Sequence, residues 1–105
     1  MSRIFSPVHP GAILLEEFLI PLGISQTTLA SDLGVPVGRI HEIVNGNRSI
    51  TADTALRLSR YFGLSDRYWM NLQVRFDVER EKDRLKDRLK KEVRIFRVPS
   101  TSSKA

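Results

Sequence analysis

The sequence contains no cysteine. Disulfides, thiol nucleophiles and cysteine-ligated zinc are therefore excluded, and the composition fits a reducing cytoplasm. Histidine is almost as scarce. His9 lies in a proline-rich lead-in and His41 in a helical stretch, each without a ligand-spaced partner, so no metal is expected. No glycine-rich loop follows a strand, which removes the usual phosphate cradle. Serine and threonine fall mostly at helix-cap positions, and the acids are spread as helix-surface charges. No enzyme activity and no cofactor are expected. Long apolar runs are missing as well: the longest near the N-terminus is interrupted by Glu16 and Glu17. Neither a signal peptide nor a membrane span is expected, and the expected location is the cytoplasm.

What remains is a chain of 105 residues and 12.0 kDa, enough for one domain and a tail. A hydrophobic share of 41% supports a modest core. A domain of this size is only marginally stable alone, so self-association would help it. The net charge of +5 and a pI near 10.1 favour an anionic partner. The charge is uneven. Residues 1–76 carry seven arginines against six acids, whereas residues 77–105 carry ten basic residues against six acids.

Glycines at 23, 34, 46 and 63 punctuate five helical patterns. Pro7 and Pro10 keep the lead-in, residues 1–8, extended. Ile13, Leu14, Glu17 and Phe18 open an amphipathic first helix, which should end before Pro21. Ser25 suits the N-cap of the second helix, Thr51 that of the fourth and Ser65 that of the fifth. The expected organisation is a helical domain over 9–76 and a basic extension over 77–105. The tandem Lys82-Asp83-Arg84-Leu85 and Lys86-Asp87-Arg88-Leu89 reads as a continuation of the fifth helix. Residues 93–98 could be helix or a short β segment, since β-branched and aromatic residues dominate there. The Ser/Thr-rich end, from Pro99, reads as disordered.

The most informative stretch is Gln26 to Asn45. Leu29 and Leu33 share one helix face, and Ile40 and Ile43 share another, with Val44 beside them. Ala30 stands where two helix backbones must cross closely. Gly34 falls just past the first helix, and Pro36 suits the first turn of the next. A small residue, a turn glycine and two apolar pairs at these offsets are the pattern of a DNA-binding helix-turn-helix. Its second helix enters the major groove N-terminus first. Val37, Gly38, Arg39, His41 and Glu42 are left facing outward. Arg39 can pair with guanine or hold a phosphate, and Val37 can meet a thymine methyl. Gly38 permits close backbone approach. Glu42 either accepts from cytosine or repels phosphate, and His41 reads as a neutral surface residue. Asn45, Asn47 and Arg48 stand where they could meet the DNA backbone.

Three motifs extend the pattern: His9-Pro10-Gly11 with Leu15-Glu16-Glu17-Phe18 and Pro21-Leu22-Gly23; Arg39 to Gly46; and Ile50 to Leu58, closing with Tyr68-Trp69-Met70-Asn71-Leu72-Gln73. Together they cover about two thirds of the chain, and the run from His9 to Phe76 resembles the HigA-type (VapI-like) antitoxins. These are a branch of the λ-repressor/Cro-like helix-turn-helix proteins. The resemblance implies an all-α, five-helix λ-repressor-like domain with a charged helical C-terminal extension. It implies a phosphate contact for Gln26. Relatives commonly carry a basic or polar residue where Val37 stands, so the usual base code does not transfer there. It further implies two tasks: neutralising a cognate toxin of the HigB type, a RelE-like mRNA endonuclease, and repressing the shared operon. A stand-alone regulator of the same fold, or an interaction module that has lost DNA binding, are the alternatives.

One helix-turn-helix reads few base pairs, so a homodimer on palindromic double-stranded DNA is expected. Tyr68, Trp69, Leu72 and Phe76 place large apolar area on the fifth helix and are the expected dimer surface. The competing expectation is that Trp69 completes the core of its own chain.

Overall fold

A computed structural model describes residues 7–99. It is all-α among these residues. The helices are α1 (Pro10–Leu22), α2 (Gln26–Leu33), α3 (Val37–Val44), α4 (Ala52–Phe62), α5 (Tyr68–Leu85) and a short α6 (Arg88–Glu92). The lead-in enters the described region only at Pro7 and Val8, which have no regular structure, and residues 100–105 lie outside it. None of the described helices is by itself long and apolar enough to cross a membrane.

Helix α1 departs from expectation at both ends. It starts at Pro10, three residues earlier than the periodicity suggests, because His9 caps it: the ring Nδ1 accepts the Gly11 N–H at 2.9 Å. It also runs through Pro21. A proline inside a helix has no N–H to donate, and its ring crowds the carbonyl four residues back. Here the middle of the helix, Leu14–Leu19, widens to a π turn, with the Ile20 N–H reaching back five residues to Leu15. That wider turn lets the chain carry Pro21 to the left-handed Gly23.

Ser25 and Thr51 cap α2 and α4 as expected, accepting from Thr28 N at 3.0 Å and Thr54 N at 3.5 Å. Ser65 does not cap α5 with its side chain. Its carbonyl accepts from Tyr68 N at 3.2 Å, so Ser65 to Arg67 form a turn and the helix begins at Tyr68.

The core is a single cluster that draws on every helix from α1 to α5, with Leu14, Leu29, Ile40, Ile43, Leu58 and Trp69 at its centre. Trp69 is 0% exposed. Its ring lies 5.1 Å from Phe18 and 5.2 Å from Tyr68, in tilted and edge-on contacts that aromatic quadrupoles favour. A buried polar thread ties the loop after α3 to α5. Gln73 Oε1 accepts the Ile50 N–H at 2.8 Å, and Gln73 Nε2 donates to Asp77 at 3.0 Å.

Gln73 is also the last fully buried residue of α5. The backbone continues as helix past residue 76, where the sequence changes character, but its side chains then lie half-buried or exposed. The radius of gyration is 18.2 Å, against roughly 13 Å for a compact chain of this length, and the longest extent is 58 Å. The C-terminal half of α5 therefore projects as an arm. It breaks at Lys86, whose φ of +38° is strained for a non-glycine residue. Residues 93–98 are neither helix nor paired strand. Val93 is extended, and Phe96 is 82% exposed.

Two outcomes follow from the contact of α1 with α3. A Cβ added at Gly11 would sit 1.7 Å from the Ile43 carbonyl oxygen, which is backbone and cannot step aside. Gly11→Ala should therefore cost about 3 kcal/mol or more, read as a shift of the urea midpoint. His9 must be neutral at Nδ1 to cap α1. Its partial burial, and then Arg80, hold its pKa below the usual 6.5, while Asp77 opposes them. A depressed folded pKa means the unfolded chain binds the proton first. Stability is thus full above about pH 6.5 and falls as the pH drops below it. Thermal melts across pH 5–8 should show this loss, and His9→Asn, a capping residue that does not titrate, should flatten it.

Candidate nucleic-acid interface

The geometry of α2 and α3 follows from local chemistry. Leu29, Ala30 and Leu33 bury against Ile40 and Ile43. Gly34 takes φ +75°, where a side chain would be strained, and donates its N–H to the Ala30 carbonyl at 2.9 Å. Val35 N bonds the same carbonyl at 3.0 Å. Pro36 stands one position outside the helix, with ψ 142°, and its carbonyl receives the Arg39 N–H at 3.0 Å. The first helical residue is therefore Val37. It is exposed, and a Cβ built on the next residue, Gly38, meets nothing within 4 Å. The N-terminal end of α3 is thus open and free of bulk, as a groove-entering helix requires.

The other expected site residues are placed unevenly around it. Gln26 is half-buried at the first position of α2, directly after the Ser25 cap. Asn45 ends α3, with its N–H on the His41 carbonyl at 3.0 Å, and its side chain is exposed. Asn47 is exposed too, while its N–H donates to the Glu42 carbonyl at 2.8 Å and folds the loop back on the helix. His41 is exposed, as expected.

Arg39 differs from the outward-facing residue the periodicity suggests. It is half-buried, and its Nη1 lies 3.5 Å from Thr54 Oγ1 on α4. The reason is that Thr54, in the first turn of α4, offers a hydroxyl across the gap. At that distance the bond is weak and easily exchanged. Glu42 and Arg48 are not independent. Arg48 Nε donates to Glu42 Oε1 at 2.7 Å, joining the loop to the outer face of α3. Both side chains are about half-exposed, so the pair adds at most about 1 kcal/mol to stability. Its larger effect is to mask one cation of the face with one acid.

Of the four residues expected at a dimer surface, Trp69 is enclosed by its own chain, as the competing expectation had it. Phe76 is half-covered: His9 lies edge-on at 4.9 Å and the Arg80 guanidinium stands 4.7 Å over its ring. Tyr68 and Leu72 are half-exposed. The apolar side chains that α5 does present are Val74 and Val78, 52% and 49% exposed and one turn apart. Sequence reasoning missed them, because a lone valine among polar and charged residues reads as incidental.

It missed three more residues. Gln73 carries the buried thread to Ile50, and Arg57 and Tyr61 on α4 hold the last turn of α2. The only local signal among these is the i, i+4 spacing of Asp53 and Arg57, an exposed ion pair in the structure.

A helix-turn-helix family model matches residues 15–69. Virulence-associated protein I of Dichelobacter nodosus is 53% identical over 72 residues, 69% of this chain and 67% of that protein. Among solved structures, an addiction module antidote protein of a HigA family from Coxiella burnetii is 41% identical. It superposes with a TM-score of 0.82 over 88% of this chain and all of the other. Pseudomonas aeruginosa antitoxin HigA, solved with the higBA promoter, is 39% identical with a TM-score of 0.80, over 84% and 96% of the two chains.

Charge masking and base contact separate under mutation. Arg48→Ala should weaken binding to all duplexes alike and lower the salt slope by about one per site. Glu42→Gln should unmask Arg48 and tighten binding to random-sequence DNA at low salt. Arg39→Ala should cost about 1–3 kcal/mol on a preferred duplex and relax one base position per half-site. Salt titrations on preferred and random duplexes check all three.

Proposed function

The chain belongs to the helix-turn-helix family, in its HigA-type (VapI-like) branch, and on that premise we propose an antitoxin that binds operator DNA, represses its own operon and neutralises a HigB-type, RelE-like mRNA endonuclease. One observation carries the DNA half of this reading. The first turn of α3 is exposed at Val37, empty of neighbours at Gly38 and flanked by exchangeable polar side chains, Arg39 and the Glu42–Arg48 pair. Such a face fits the major groove, with Arg39 and Val37 toward base edges and Gln26, Asn45, Asn47 and Arg48 toward phosphates. The toxin half is supported by likeness to the antitoxins alone.

A second copy completes the DNA reading. A two-fold dimer presents two recognition helices to a palindromic operator, about one helical turn apart. We place its seam on α5, with Val74, Val78 and Leu85 on one stripe at i, i+4 and i+11, flanked by Tyr68 and Leu72. The basic extension, residues 77–105, serves as a phosphate-attracting arm beyond the helix-turn-helix domain of 9–76. The protein would work in the cytoplasm, where its DNA is.

The deciding experiment pairs the chain with the product of its neighbouring gene. The expected outcome is that the neighbour arrests growth, that co-expression of this chain restores it, and that the purified pair shifts the promoter in a gel. Promoter binding without rescue from any neighbouring product would reduce the protein to a stand-alone regulator. Absence of both would overturn the reading.

A further inference from the structure

The hold of α4 on the end of α2 has well-defined partners. A helix leaves its last carbonyls without internal partners. In α2, Gly34 N serves those of Ala30 and Ser31. The Leu33 carbonyl is served from another helix: Arg57 Nη1 donates to it at 2.8 Å, while Arg57 Nε bonds Asp53. One turn further along α4, Tyr61 Oη donates to Asp32 Oδ2 at 2.7 Å, a bond that raises the Tyr61 pKa. Two side chains spaced i, i+4 thus grip two successive residues. The guanidinium also overlies the turn itself, since a Cβ at Gly34 would come 3.3 Å from Arg57 Nη1. By comparison, Arg39 on α3 reaches Thr54 on α4 only at 3.5 Å.

We infer that Arg57 is a positioning residue for sequence readout: by fixing the Leu33 carbonyl it sets the angle of the turn and the pose of Val37, Gly38 and Arg39, without touching DNA. This rests on the reading of α3 as the recognition helix. Arg57 is already engaged by a carboxylate and a carbonyl, so it is not a free phosphate clamp. A tilt of the turn would hurt base contacts first. Bidentate bonds to base edges are directional, whereas phosphate contacts from flexible side chains follow the backbone. The loss should therefore fall on specificity.

The test uses the full chain, a duplex enriched by the wild type from a random pool, and a random-sequence duplex of equal length. Arg57→Met keeps the apolar stem and the helix propensity but removes the fork. It should bind the enriched duplex about tenfold more weakly, the scale of one lost base contact. Its affinity for random DNA and its salt slope should stay within about twofold of wild type. Arg57→Lys can still reach a carbonyl and should recover part of the loss. It carries the comparison if Arg57→Met does not fold. Equal weakening on both duplexes, with the slope reduced by about one per site, would make Arg57 a phosphate contact and overturn the inference. An unchanged ratio would reduce the bond to fold stability alone. A wild type that enriches no duplex would remove the recognition-helix reading and this inference together. A wild type with clear preference beside an unchanged variant ratio removes only the role of Arg57.

Discussion

The first turn of α1 lies directly on the last turn of the recognition helix, with room for a hydrogen and nothing more at Gly11. Much of the domain is arranged around that approach. His9 caps α1 so that the chain can enter at Pro10. The same ring packs edge-on against Phe76 of α5 and lies near Gly46 after α3. Gln73, one turn earlier on α5, takes the Ile50 N–H from the loop that follows α3. The back and the end of α3 are thus held by α1 and α5, while its N-terminal face is left open. A helix that must read DNA is made rigid from behind, so that the orientation of its outward side chains is set before DNA arrives.

Helix α5 has two parts that share one backbone. Its first half buries Trp69 and Gln73 and belongs to the core. Its second half projects beyond the body, held by i, i+3 ion pairs rather than by packing, among them Arg84 with Glu81 and Lys82 with Glu79. Such pairs give only a few tenths of a kcal/mol each. An arm built in this way costs little to reshape when a partner meets it, and the basic excess lies past its end, where residues 86–105 hold seven basic residues against two acids, away from a body that is nearly neutral.

That near-neutrality is built into the interface. Glu42 occupies Arg48, and Thr54 holds Arg39 loosely, so neither cation of the DNA face stands fully free. On the proposed reading, non-specific attraction to phosphate is lowered at the helix-turn-helix and falls to the extension. An interface with a small non-specific term depends more on base contacts and on the pose of α3. The grip of α4 on α2 matters for the same reason.

Much of this was legible from residues close together in the chain. Ser25 and Thr51 cap their helices with their own side chains, the glycines at 34 and 63 end theirs, and the pairs Leu29/Leu33 and Ile40/Ile43 face one another. These features depend on local dihedral preference and on a helical period, both of which a short window of sequence carries. Four features were decided only by tertiary structure. Trp69 turns inward because Phe18 and Phe62 arrive from α1 and α4 to enclose it. The π turn of α1 arises because the chain must keep Leu14 and Leu19 in the core while passing Pro21. Arg57 meets a carbonyl 24 residues away, and Glu42 meets Arg48 across a loop. A hydrogen-bond partner on another element has no periodic signature. It exists only once the helices are packed, and packing is set by the fit of the whole core rather than by any one segment.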